Sequence, residues 1–262
     1  MAIAMTSSGV GRSLIRYAPY LALALAAIAV LLLALGPIGW RVGWWHFRFA
    51  FATLMPWAAY CGVAALVVSA VALLVGRSQI ERRGVAFAVL AFAVGGLIAY
   101  VPWHYAQIGK TLPRIHDITT DPDNPPAFVA VVPLREAKGL NPAAYEGSKI
   151  AEQQRRAYAD IVPLTVALAP SAAFNRALDT AQQMGWVIIA ADDAAGRIEA
   201  SEQSRWFGFT DDIVIRIAAS GSGSRIDLRS SARLGSGDFG VNAARIRAFL
   251  TAFQRAADRA GG

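Results

Sequence analysis

Asp211–Leu250 reads DDIVIRIAASGSGSRIDLRSSARLGSGDFGVNAARIRAFL, and its hydrophobic period changes along the way. Ile213, Ile215 and Ile217 alternate, as do Ile226 and Leu228, so each run reads as a strand with one apolar face. Gly221-Ser222-Gly223 joins the two as a hairpin. The period then lengthens. Ile246, Phe249, Leu250 and Phe253 fall on one stripe of a closing helix, and Ser236 or Asp238 stands where a cap is needed. Between strand and helix, arginines, Asp238 and Asn242 are interleaved with glycines.

Upstream, the same periods recur. Ser148–Tyr158 reads as a helix and Ile161–Leu168 as a strand. Pro170-Ser171 opens a helix with Phe174, Ala177, Leu178, Ala181 and Met184 as its apolar stripe, closed by Gly185. Trp186–Ala191 and Arg197–Ser204 are strands separated by the turn Asp193–Gly196. The order strand, helix, four strands, helix gives an α+β domain over 128–262, an antiparallel sheet with two helices on one face. Alternation puts Arg197, Glu199, Ser201, Arg216, Arg225, Asp227 and Arg229 on the other face. That face is expected to be solvated and laced with weak ion pairs, or else to be a polar binding surface.

The chain ahead of this domain is different in kind. Residues 1–104 carry seven arginines, no lysine and one acid, Glu81, a net of +6; residues 105–262 carry 18 basic and 17 acidic groups, a net of +1. The basic balance therefore belongs to the first part, which argues for a membrane anchor and against a nucleic-acid partner. Apolar runs at Tyr17–Leu35 (ended by Gly36-Pro37), Phe49–Val75 and Val85–Trp103 are each close to the ~20 residues a spanning helix needs. A signal peptide is the lesser alternative for the first run. The plan is a cytoplasmic N-tail (1–16), a three-helix transmembrane anchor (17–104), an extended Pro/Asp-rich connector (105–127) and the outer domain. Arg12, Arg16, Arg77, Arg82 and Arg83 outnumber Arg41, Arg48, Lys110 and Arg114 across the spans, which puts the N-terminus inside and the domain outside. Between the first two runs, Arg41, Trp45 and Arg48 would share one face of a short interfacial helix, with His46 among aromatics. No ionisable group lies within the three apolar cores, which disfavours a transporter. The single cysteine, Cys61, excludes an internal disulfide and a cysteine metal cluster.

Several stretches resemble one family: HDITTD (His116–Asp121), NPP (Asn124–Pro126), AEQQRRAY, GRIEA (Gly196–Ala200), WFGFTDD (Trp206–Asp212) and RSSARLGSGDFGVNAARI (Arg229–Ile246). Together they are similar to the domain-of-unknown-function family fourteen-ninety-nine, from about Leu112 to the C-terminus. The resemblance implies a place in the bacterial envelope. It implies no activity and no cofactor.

For chemistry, LGSGDFG lacks the GK[ST] ending of a P-loop, although N–H groups at the helix start could hold an anion. The alternative is a rigid turn in which Asp238 caps the helix and is itself held by Arg233 or Arg245. The candidate ligand-binding set is Arg229, Arg233, Asp238, Asn242, Arg245, Asp212 and His116; no catalytic or metal residue is assigned. Trp206–Phe209 forms either hairpin core or a tip that touches the bilayer. The first functional expectation is a non-enzymatic, membrane-anchored envelope module in the bacterial inner membrane. Its domain would face the periplasm, and its partners would be the lipid bilayer and a membrane protein or anionic lipid. A hydrolase using His116 and Asp117 with Asp211 and Asp212, with Glu199 and either of the last two as a possible carboxylate pair, is the alternative. A structural subunit of a larger membrane complex is the third.

Overall fold

The computed structural model describes residues 7–76, 78–137 and 139–260. Residues 1–6 of the N-tail, Arg77 and Gly262 lie outside the described residues, as does the side chain of Arg12. The chain forms two units, 1–107 and 108–262.

The first unit is helical: α1 (Ser7–Arg41), α2 (Phe47–Phe49), a π-helical turn (Ala50–Leu54), α3 (Met55–Val75) and α4 (Arg82–Thr111). Three stretches, Ile15–Arg41, Phe47–Val75 and Arg82–Thr111, are long and apolar enough to cross a membrane. Helix α1 does not stop at Gly36-Pro37 but runs through Pro37 to Arg41. A proline removes one helical hydrogen bond, whereas ending the helix in an apolar segment would leave many more backbone groups unpaired. The expected interfacial helix is instead a tight turn. Arg41 ends one helix and Arg48 belongs to the next. The Trp45 indole donates to the Gly36 carbonyl at 3.3 Å. His46 caps α2, its Nδ1 accepting from the Arg48 N–H at 3.2 Å.

Small residues make the helix contacts. Ala58, Gly62, Ala65, Ser69 and Ala72 line the buried stripe of α3, and Gly84, Ala88, Ala91, Gly95 and Ile98 that of α4. At the crossing, a Cβ on Gly62 would stand 2.9 Å from the Gly95 carbonyl oxygen, and one on Gly95 would stand 2.6 Å from that of Gly62. Backbone meets backbone there, the close approach that apolar helices use when no hydrophobic force separates them from lipid.

The second unit contains β1 (Asp117–Thr119), α5 (Ser148–Ala157), β2 (Leu164–Val166), α6 (Pro170–Gln183), β3 (Val187–Asp192), β4 (Arg197–Gln203), β5 (Thr210–Ser220), β6 (Gly223–Ala232) and α7 (Val241–Ala260). All strand pairings are antiparallel, in the order β1-β6-β5-β4-β3. Strand β2 also pairs with β6, so β1 and β2 share one edge of it, against Arg229–Ser231 and Ser224–Ile226. This is the α+β domain that the periods indicate, with two additions. The stretch expected to be wholly extended begins inside α4, which reaches Thr111, and it contains β1. Proline content hid this, because Ile115 and Ile118 are buried core residues between the prolines.

Isoleucines from β4, β5 and β6 pack with Phe174, Ala177 and Ala181 of α6 and Ile246, Phe249 and Phe253 of α7. Trp186 stacks on Phe249, ring centroids 5.4 Å apart. Helix α5 adds Ile150 to the same core. Its Gln154 amide accepts from the Thr119 N–H and donates to the Thr119 carbonyl, doing for β1 what a neighbouring strand would do.

Much of the opposite face is covered, although Arg197, Arg216 and Arg225 at its far end stay partly exposed. Residues 120–137 and 139–147, including a 3₁₀ turn at Val132–Arg135, lie across it. Phe128 and Val131 meet Val214 in a small second core. Beneath this cover Glu199 and Asp212 have no exposed surface and Arg229 retains 2%. Polar alternation identified the face correctly, but a coil with no apolar period covers it, so its burial left no pattern in the sequence.

Candidate functional site

The candidate residues divide into two buried polar clusters, one on each face of the sheet. Asp211 and Asp212 are neighbours on β5 and must point to opposite faces.

On the covered face, Asp212 accepts from Arg233 Nε at 2.9 Å and Nη2 at 2.8 Å, and from the Ser201 hydroxyl at 2.7 Å. Arg135 Nε stands 3.3 Å from the same carboxylate, and its terminal nitrogens donate to Ser231. Burial lowers the affinity of Arg135 for its proton, opposed by Asp212 and Asp117. Arg229 chelates Asp117 through Nε (2.9 Å) and Nη2 (2.6 Å) and donates to the carbonyls of Pro126 and Ala143. Its guanidinium lies over the Phe128 ring at 4.7 Å and the Tyr145 ring at 5.4 Å. Burial, and then Asp117, pushes the Tyr145 hydroxyl up to about 12.

Glu199 serves the cover in another way. Its carboxylate accepts the backbone N–H groups of Val129, Ala130 and Val131 at 2.9–3.1 Å. These donors lead into the 3₁₀ turn, so Glu199 acts as a helix-cap carboxylate supplied from a different element. At the far end of this face, Asp227 holds Arg216 and Arg225, which also reach Asp121.

On the helix face, Arg245 of α7 donates to Glu202, Asp211, Ser230 and Asn242. Asn242 also accepts from the Ser230 hydroxyl and donates to the His116 carbonyl at 3.0 Å. Burial raises the Asp211 carboxyl above its ordinary value, with Arg245 pulling it back down.

Asp238 caps α7 as expected, accepting from the Gly240 N–H at 2.9 Å and the Asn242 N–H at 2.7 Å. The expected clamp on it is absent: Arg233 goes to Asp212, and Arg245 goes to Asp211 and Glu202. Arg233 meets an acid with no exposed surface and Arg245 one that is largely buried, where a charge without a partner would cost most. The anion place at the helix start is thus filled by the chain's own carboxylate.

The structure therefore joins Arg233 with Asp212, and Arg245 with Asn242 and Asp211. Arg229 shares the covered face with Asp212 but binds a different acid, Asp117, and Asp238 meets the helix-face group through the Asn242 backbone N–H. His116 is buried and contributes its carbonyl, which accepts from Asn242 and from the Ala232 N–H. Among the described residues no cluster of three histidine, cysteine, aspartate or glutamate side chains could hold a metal ion. Sequence reasoning weighed Asp117 and Glu199 as acids for catalysis and not as organising residues, and it missed Arg135 and Gln154. Asp117 lies in the HDITTD motif, and Glu199 lies on the polar stripe. Arg135 and Gln154 carry no local signal, because their partners are 77 and 35 positions away.

The family described as "Protein of unknown function (DUF1499)" matches residues 117–253, from the first residue of β1 into α7. No curated protein matches the chain.

Proposed function

We propose that this chain, which belongs to the DUF1499 family, is a membrane-anchored bacterial envelope module that acts by binding and not by turnover. The observation that carries the proposal is the division of Asp211 from Asp212. A hydrolase would need these carboxylates to converge near His116 with a lone pair free for a proton. Each is instead held by arginine on a different face of the sheet. Polar groups tied down in this way position backbone and leave the surface to make contacts. The partners are the lipid bilayer and a membrane protein or anionic lipid. The three candidate spans and the arginines flanking them favour the bacterial inner membrane, with the domain in the periplasm.

Two experiments test this. A reporter that works only in the cytoplasm, fused to the C-terminus, stays silent; activity overturns the orientation. The full chain in liposomes leaves ester, phosphoester and peptide substrates intact. A hydrolysis that disappears with His116→Ala or Asp211→Asn overturns the binding role.

A further inference from the structure

Strand β1 runs antiparallel to β6, with Asp117 opposite Ser231, so the chain enters the sheet at the end where β6 finishes. Residues 112–116 separate α4 from β1, a chain that reaches at most about 20 Å. That end of the sheet is therefore tethered close to the end of a helix able to cross a membrane. Two other segments gather there. One is the β4–β5 tip, since Gln203 pairs with Thr210 and Asp211 with Ala232. The other is the loop from Leu234 to Gly240 that leads into α7. The β3–β4 and β5–β6 turns lie at the opposite end.

Among the described residues of this unit, the exposed aromatic side chains are Trp206 (59%) and Phe239 (48%), and both stand at the tethered end. The tip that carries Trp206 is rigid. Ser204 and Phe209 exchange hydrogen bonds at 2.8 and 3.0 Å, and Phe207 is buried and stacked on Phe209. Trp206 is thus preset outward. Phe239 has a φ of 54°, a conformation that a bulky side chain adopts only at a cost. Its ring stands beside Gly109 in the last turns of α4, and Gly237 packs on Arg114. Lys110, Arg114 and Arg205 are exposed around these aromatics. The acids at this end are engaged: Asp211 and Glu202 by Arg245, and Asp238 by the start of α7.

We infer that this end of the domain rests on the bilayer surface, with Trp206 and Phe239 as its interfacial anchors and Lys110, Arg114 and Arg205 facing the headgroups. Aromatic rings ringed by cations are the chemistry of the membrane–water interface. A second copy is the poorer occupant, because a two-fold contact would set these cations against their own images. The inference rests on the membrane placement proposed above.

Nitroxide labelling of the full chain in lipid nanodiscs tests it. In a Cys61→Ala background, labels enter at Trp206→Cys, Phe239→Cys, Ser222→Cys and Val63→Cys. Labels at 206 and 239 should be more accessible to oxygen than to a water-soluble nickel chelate. The label at 222, at the opposite end, should show the reverse. Equal aqueous exposure at 206, 239 and 222 overturns the docking, and dipolar broadening between copies at 206 overturns it in favour of self-association. If the label at 63 in α3 also reads as aqueous, the membrane placement itself fails. Should Trp206→Cys not fold, Arg205→Cys on the same tip takes its place.

Discussion

Both faces of the sheet bury their centres, and they do so by opposite means. Under α6 and α7, Ile198, Ile213, Ile215, Ile226 and Leu228 meet Phe249 and Phe253. Burial there is worth about 25 cal/mol per Å² of apolar surface and has no direction. Under the cover of 120–137 and 139–147, Glu199, Asp212, Asp117 and Arg229 meet backbone N–H groups, carbonyls and one another. A buried ion pair adds little net stability over an apolar replacement, because desolvation offsets the attraction. What it adds is address. Three N–H groups must reach one carboxylate and two carbonyls one guanidinium, so an irregular segment is held in a single course without a repeating pattern.

The largest expected effect breaks the polar face. Arg229→Ala leaves Asp117 buried without its partner and should cost about 3–5 kcal/mol. Replacing the pair together, Arg229→Met with Asp117→Leu, should recover most of that loss. Pulse proteolysis in urea on the full chain in mild detergent would measure both. A small loss for Arg229→Ala would mean that the cover does not depend on the pair.

The apolar face should respond by degrees. Ile215 has no exposed surface. Ile215→Val should cost ~0.5–1.5 kcal/mol and Ile215→Ala ~2–5 kcal/mol, following the volume removed. Glu199→Gln removes no volume, yet it should loosen the cover, because a neutral amide is a weaker acceptor for three N–H groups. Faster hydrogen exchange at Val129, Ala130 and Val131, with the exchange of β5 unchanged, would show it. Uniform exchange across both regions would erase the distinction between the faces.

What could be read from the sequence follows the same division. Alternating isoleucines and the stripe of α7 fixed the strands, the hairpin at Gly221 and the closing helix, because apolar burial repeats with the period of the backbone. Alternation also put Arg197, Glu199 and Arg229 together on one face. It could not tell that this face was covered, since Pro126, Val129 and Ala143 approach it from a coil. The candidate residues were mostly placed among groups that matter to the fold. Their pairing was not legible, because Arg233 and Arg245 each had several acids within reach, and only the strand register decides among them.

The cap of α7 gives an intermediate test. Asp238→Ala should cost ~0.5–2 kcal/mol and Asp238→Asn less, as asparagine also caps. Arg233→Ala strikes the separate Asp212 cluster, so the two changes should add to within ~0.5 kcal/mol. A larger departure from additivity would mean that the loop couples the faces.

The smallest effect belongs to a pair on neither face. Arg247 donates to Asp160 through Nε at 2.6 Å and Nη2 at 2.7 Å, with both side chains about half exposed. The guanidinium holds the Asp160 carboxyl below its ordinary value, through its hydrogen bonds first. A carboxyl whose value is lowered by folding stabilises the native state above the ordinary carboxyl range, and that contribution is lost as pH falls through the lowered value. Arg247→Ala should therefore move the Asp160 titration upward, seen by carboxyl-carbon NMR, and remove that part of the acid dependence. Water and salt screen such a pair, so the cost in stability should stay below about 1 kcal/mol and should vanish in 1 M salt. The Arg229–Asp117 pair, with 2% and 1% of its side chains exposed, should keep its cost in the same salt. If salt weakened both alike, the cover would admit water, and the second face would be a surface after all.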